Sequence, residues 1–183
     1  MVIKVDEHLQ LDKITMDDKY NLLKYLNNPI VYKNTLTVPS PYTENDADWW
    51  IMFVYLKEKE EKRLTNWVIR MDGKLIGGLG LLLKYPGDKA KDEFGYWLAE
   101  PYWNKGIMTK VVKVFTDFCF NQLGYEVLEA PVFHYNHASA RVLVKAGFKF
   151  VRDIKNVYEK DGKYEDAKLF VKTKKDLFNM AAS

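Results

Sequence analysis

A single cysteine, Cys119, is present among 183 residues. No internal disulfide can form, and nothing in the composition asks for an oxidising compartment. Cys119 itself lies between Phe118 and Phe120 in a helix-like run, where a thiol packs as a small apolar group. Long apolar runs are missing too. The longest, LIGGLGLLL at residues 75–83, falls far short of the ~20 residues of a membrane span. The amino terminus, MVIKVDEHLQLDK, carries charges at short intervals and has no secretory-type apolar stretch. Charge of one sign is scarce: 28 Lys and Arg against 25 Asp and Glu leave a net +3. That is too little for a nucleic-acid footprint, though it suits a modest anionic ligand. There are only 3 histidines. His134 and His137, at i and i+3, lack a third ligand, so no metal site is expected. Two nucleotide-binding signatures are also absent. A P-loop, GxxxxGK[ST], fails because Gly73-Lys74 precedes Leu75 and Gly162-Lys163 precedes Tyr164. A dinucleotide fingerprint, GxGxxG, fails at GGLGLLL, which lacks the third glycine and leads into no helix. The expectation is a cytoplasmic or nuclear protein with no membrane and no nucleic-acid partner.

What is present favours a packed core. Hydrophobic residues make up 48% and charged residues 29%, the balance of a globular chain, and the length fits one domain over residues 1–183. EHLQLDKIT alternates like a strand. Cap residues at 15–18 open a helix over 19–26, which NNP at 27–29 closes before a loop. Thr43, followed by Glu44 and Asp46, caps a helix running to about Lys62. Two apolar runs flank Asp72-Gly73, the strongest short hairpin signal. GDKAKD at 87–92 reads as a polar turn and EFGYWLAE at 93–100 as an aromatic-rich strand. Val111, Val114, Phe115 and Phe118 keep helical spacing up to Gly124, a helix-stop glycine. EVLEAPVF is a strand, NHASARVLVKAGF a helix, and the tail a final hairpin around KDGK at 160–163. The order β-α-α-β-β-β-α-β-α-β-β describes a mixed α/β (α+β) domain. Antiparallel hairpins flank a parallel βαβ core at 93–133.

The junction EPYWNKGIMTKV, residues 100–111, joins the aromatic strand to the long helix. A helix N-terminus presents unpaired N–H groups and the positive end of the macrodipole, and a glycine lets a ligand approach the backbone. Residues 104–109 therefore read either as a phosphate cradle, with Lys105 and Lys110 adding charge, or as a plain glycine turn. Composition alone favours the turn.

Three linked motifs decide between them. Gly95, Tyr96, Trp97 and Leu98 with Tyr102, Trp103, Lys105, Gly106, Ile107 and Thr109 form the first. Glu129, Ala130 and Val132 form the second. Asn136, Ser139, Val142, Leu143, Lys145, Gly147 and Phe148 form the third. In order and spacing they resemble GNAT N-acetyltransferases, in the branch with the ribosomal-protein N-terminal acetyltransferases RimJ and RimL. The resemblance spans most of the chain. It implies a central, mostly antiparallel sheet with a splayed parallel βαβ core, and acetyl-CoA as the acetyl donor. Backbone N–H groups of Asn104, Lys105, Gly106, Ile107, Met108 and Thr109 would then hold the pyrophosphate. Backbone groups of Trp97, Leu98 and Ala99 would pair with the pantetheine arm like an added strand. Asn136 would hydrogen-bond that arm, and Arg141 and Lys145 would approach the nucleotide phosphate.

Three positions depart from the family pattern. Asn104 replaces a glycine, Met108 a small residue, and Pro131 interrupts a strand, as suits an edge that splays or bulges. The implied reaction is direct attack by a primary amine, of a protein N-terminus or a small molecule, on the thioester in a ternary complex. Glu129 is the candidate base, acting through water, and Ser139 the candidate acid or thiol-orienting hydroxyl. Leu143 stands where other branches carry a tyrosine, which excludes tyrosine acid catalysis from that site. The rival reading, prompted by Asn104 and Met108, is a CoA-binding sensor or scaffold without turnover. As monomer or homodimer, the protein would need no metal.

Overall fold

The computed structural model describes residues 2–85, 88 and 90–176. Among them are eight strands and five α-helices in a mixed α/β arrangement: β1 (Ile3–Lys4), β2 (Leu9–Asp12), α1 (Lys19–Leu26), α2 (Pro29–Asn34), α3 (Glu44–Glu61), β3 (Asn66–Met71), β4 (Lys74–Leu81), β5 (Lys91–Leu98), α4 (Ile107–Asn121), β6 (Val127–Phe133), α5 (His137–Lys145), β7 (Lys149–Lys160) and β8 (Lys163–Thr173). The chain divides into two compact units, Met1–Leu81 with Gly95–Ile107 and Leu82–Phe94 with Met108–Ser183.

In the first unit β1, β2, β3 and β4 pair antiparallel in chain order. The β3–β4 turn is the expected one: Asp72 at φ 49° and Gly73 at φ 79° are both left-handed, as a two-residue hairpin requires. Close by β4 runs the second half of β5, where Ala99 N–H donates to Ile76 C=O at 2.8 Å. A Cβ on Gly77 would meet Trp97 O at 2.5 Å, so only glycine allows that approach. Leu22 and Leu26 of α1, Val31 of α2 and Ile51 of α3 close the core with Val68 and Leu75. Thr43 caps α3 in a reciprocal box with Asp46, as the sequence predicts.

Two expectations change here. Residues 27–29 were expected to end a helix and lead into a loop, yet α2 begins at Pro29. Asn28 Oδ1 accepts from Ile30 N at 2.8 Å and Val31 N at 3.2 Å, so Asn-Pro acts as an N-cap followed by proline at the first helical position. The strand expected at residue 93 begins at Lys91, inside the anticipated polar turn, of which Gly87 and Lys89 lie outside the described residues.

In the second unit the order is β5-β6-β8-β7. β5 and β6 pair parallel through Lys91↔Val127, Asp92↔Leu128 and Glu93↔Glu129, and the register ends there although β5 runs on to Leu98 and β6 to Phe133. β6, β8 and β7 pair antiparallel. Phe94, Phe115 and Phe148 meet with ring centroids 5.5–5.8 Å apart, tying β5, α4 and the residue before β7 into one core. Gly124, at φ 80°, follows α4 as the predicted stop. No described helix is long and apolar enough to cross a membrane.

Candidate active site

The loop before α4 has the backbone of an anion cradle. Asn104 at φ 59° and Gly106 at φ 74° are both left-handed, and nothing lies within 4 Å of a Cβ built on Gly106. Alternating left-handed residues turn successive N–H groups toward a common point, and α4 then supplies the unpaired donors of its first turn. The two departures that fall in this loop are accommodated. Asn104 adopts the left-handed turn that its short polar side chain tolerates. Met108 is buried at 6% exposure. The Lys105 ammonium is folded back, 2.9 Å from Pro101 O and 5.8 Å from the Tyr102 ring centroid.

The end of β5 is partly engaged already. Leu98 C=O accepts from Trp103 Nε1 at 2.7 Å and Ala99 N–H serves Ile76. In the second unit Asn136 caps α5: its Oδ1 accepts from Ser139 N at 3.1 Å. One side of the Asn136 amide is thus spent on the helix, and the cap holds Ser139 in the first turn. Arg141 and Lys145 lie farther along α5 and line an open groove with Phe150, Phe170 and Lys168.

Glu129 sits in a charged cluster that residue order alone conceals. Its Oε2 accepts from Tyr85 OH at 2.5 Å and its Oε1 lies 3.0 Å from Lys91 Nζ. The hydrogen bond to Glu129 raises the pKa of both Tyr85 and Lys91. Across the last rung of the parallel ladder stands Glu93, only 6% exposed. Among the described residues its buried Oε1 has no hydrogen-bond partner. Burial pushes its pKa up, Lys84 at 3.9 Å opposes this, and the Glu129 charge adds to it. Tyr158 of β7, raised to about 12 chiefly by burial, also faces Glu93.

Asp92 builds this arrangement. Its carboxylate accepts from Leu83 N at 3.2 Å, Lys84 N at 3.0 Å, Glu93 N at 2.8 Å and Tyr125 OH at 3.2 Å. The segment that carries Lys84 and Tyr85 is thereby pinned beside β5. Sequence reasoning named Glu129 as a candidate but did not place Glu93, Tyr85, Lys91 or Tyr158 beside it. The only signal was an acidic residue opening EFGYWLAE, and its meaning depends on the β5–β6 register. Chemically, the cluster pairs a carboxylate whose two oxygens are engaged with one that keeps an oxygen open and resists ionisation.

A family model described as an acetyltransferase (GNAT) domain matches residues 8–149. Over 108 residues the chain is 33% identical to the probable N-acetyltransferase YjcK of Bacillus subtilis, covering 51% of this chain and 60% of that relative, less than two thirds of its length. Over 149 residues it is 27% identical to the L-amino acid N-acetyltransferase AaaT of Escherichia coli, covering 80% and 86%. Among solved structures, RimL, a ribosomal L7/L12 alpha-N-protein acetyltransferase in complex with coenzyme A, superposes with a TM-score of 0.84 at 16% identity over 94% of this chain and 98% of that one. MccE, the microcin C7 self-immunity acetyltransferase in complex with acetyl-CoA and AMP, gives 0.82 at 17% identity over 93% and 94%. At these identities the structural likeness establishes the fold.

Proposed function

The chain belongs to the GNAT acetyltransferase family, and on that premise we propose that it transfers the acetyl group of acetyl-CoA to a primary amine, of a protein N-terminus or a small molecule. In this reading residues 1–183 act as one catalytic domain. The observation that carries the proposal is the pair of left-handed residues, Asn104 and Gly106, opening onto the first turn of α4. Backbone N–H groups of residues 104–109 bind the pyrophosphate. The pantetheine arm runs along the end of β5 at Trp97, Leu98 and Ala99, and the free side of the Asn136 amide donates to it. The amine nitrogen attacks the thioester carbonyl, the C–S bond breaks and an amide forms. The proton lost by the amine passes through water to the Glu93–Glu129 pair. The open Oε1 of Glu93 is the first acceptor, beside the Glu129 carboxylate that Tyr85 and Lys91 hold in place. Ser139 Oγ–H hydrogen-bonds the departing thiolate and relays a proton to it from water, which returns the serine to its neutral hydroxyl. A cradle serves the binding-only reading equally well; what favours turnover is that the matching family model and the relatives YjcK and AaaT are described as acetyltransferases.

Gly106→Glu tests the cradle. A carboxylate where the pyrophosphate is proposed to sit lowers acetyl-CoA affinity at least about tenfold, equal to ~1.4 kcal/mol. Gly106→Ala carries the same left-handed backbone cost without the charge and retains most of the affinity. Calorimetric titration of both folded variants is the measurement, and equal affinity for the two refutes the placement.

A further inference from the structure

Besides the proposed acetyl-transfer site, the second unit carries a groove of about 500 Å³ between α5 and the β7–β8 hairpin. That volume is within the range of ~300–1,000 Å³ typical of ligand sites. Its floor is apolar. Phe170 is buried beneath Phe150 in an edge-on contact at 5.9 Å, while Phe150 and Val144 remain 50% and 59% exposed. Its rim is cationic. Arg141 and Lys145, four residues apart, share one face of α5, and Lys168 stands on the β8 side. Among the described residues, neither the Arg141 nor the Lys145 side chain has an ion pair or hydrogen bond. Lys168 has only the half-exposed Asp153, at 3.9 Å. Solvated lysines on a helix are ordinary, but unpaired cations on the rim of an exposed aromatic floor are the anatomy of an interface: an apolar centre with a polar border.

We propose that this groove binds an acidic peptide segment whose carboxylates flank an apolar side chain. The carboxylates meet Arg141, Lys145 and Lys168, and the apolar side chain rests on Phe150 and Phe170. Charge complementarity chooses the sign of the partner. The aromatic geometry chooses peptide over nucleic acid. The Lys168 ammonium lies over one face of the Phe150 ring, 5.6 Å from its centroid, which denies a flat base its stacking platform and leaves the ring edge and Val144 to an aliphatic side chain. This assigns Arg141 and Lys145 to a partner other than the CoA nucleotide, and the inference does not depend on the acetyl-transfer reading.

The test uses the full chain and a hexapeptide of sequence EELFEE. The peptide is acetylated at its amino end so that it offers no acceptor amine, and it is labelled at its carboxyl end for fluorescence polarisation. EELFEE is expected to bind at least tenfold more tightly than QQLFQQ or EEGGEE, with undiminished affinity at saturating acetyl-CoA. Lys168→Glu and Phe150→Asp, both outside the proposed acetyl-transfer machinery, each weaken it tenfold or more. Circular dichroism and acetyl-CoA affinity stay at their wild-type values. Equal binding of EEGGEE would reduce the groove to bare charge and overturn the proposal. So would displacement of EELFEE by acetyl-CoA, tighter binding of a six-nucleotide single-stranded DNA, or unchanged affinity in both variants.

Discussion

In the first unit Arg70 donates to Asp18 through Nη1 at 2.7 Å and Nη2 at 2.8 Å, and Nη2 also donates to Lys13 C=O at 2.8 Å. Asp18 accepts in addition from Thr15 N at 2.8 Å, so every strong group of the pair is met. In the second unit Glu93 is buried to a similar depth, yet among the described residues its Oε1 meets no donor. Both clusters bury charge beside a sheet, and the difference lies in completeness. A satisfied pair holds structure in place. An unsatisfied carboxylate carries a standing cost in the charged form, and active sites use such groups to move protons.

The largest expected effect comes from breaking the complete cluster. Asp18→Ala leaves a buried guanidinium without its counter-ion and lowers stability by about 3–5 kcal/mol in urea unfolding. Activity per folded molecule is unchanged. If activity falls while stability holds, the division between the two clusters is wrong.

Next comes Glu93→Gln, which removes the open acceptor. Its kcat falls about 100-fold, within the span of general-base effects, and KM changes little. Stability moves the other way. Because the folded-state pKa of Glu93 is raised, this residue favours the folded state below the ordinary Glu value and loses that contribution as pH rises through the folded value. The Gln variant therefore gains stability over wild type as pH rises, and the gain disappears in acid. Denaturant midpoints across pH check this.

A finer cut separates the two carboxylates. The Glu129 charge helps to hold the Glu93 pKa up, and Lys84 pulls it down. Glu129→Gln shifts the acidic limb of the kcat/KM profile to lower pH, and Lys84→Met shifts it to higher pH. Opposite or absent shifts would remove Glu93 from that limb.

The smallest effect concerns a third buried charge. Lys172 is 2% exposed, donates to Thr116 Oγ1 at 2.9 Å, and has its pKa lowered by burial. Lys172→Met is neutral or stabilising by about 1 kcal/mol. A depressed lysine pKa weakens the wild type as pH falls through the interval between its unfolded and folded values, so the advantage of Met grows in that direction.

Much of this architecture was legible where local chemistry decides it. Asp72-Gly73, the Thr43 cap and the Gly124 stop all stand where their backbone preferences place them. The turn at residues 104–106 was legible because glycine and asparagine tolerate the left-handed backbone that both adopt. Asn28-Pro29 was misread because proline both ends and begins helices, and only the hydrogen bonds of Asn28 distinguish the cases. Glu93 escaped because its role arises from the β5–β6 register, a long-range fact with no local mark. The surroundings of Arg141 and Lys145 escaped for the same reason: helical spacing places both on one face, but only the docking of the β7–β8 hairpin shows what that face meets.

The proline in β6 has a wider consequence. His134 N–H donates to Asp166 of β8, so by strand alternation residues 130 and 132 also point their N–H groups toward β8, while 129, 131 and 133 turn theirs to the opposite edge. Pro131 therefore lacks its donor on the edge past the last parallel rung, Glu93↔Glu129. No ladder bond toward β8 is sacrificed, and a strand approaching that edge would find a missing tooth in the zipper. The opening is preorganised by covalent structure. An extended ligand paired along that edge would need no acceptor opposite residue 131.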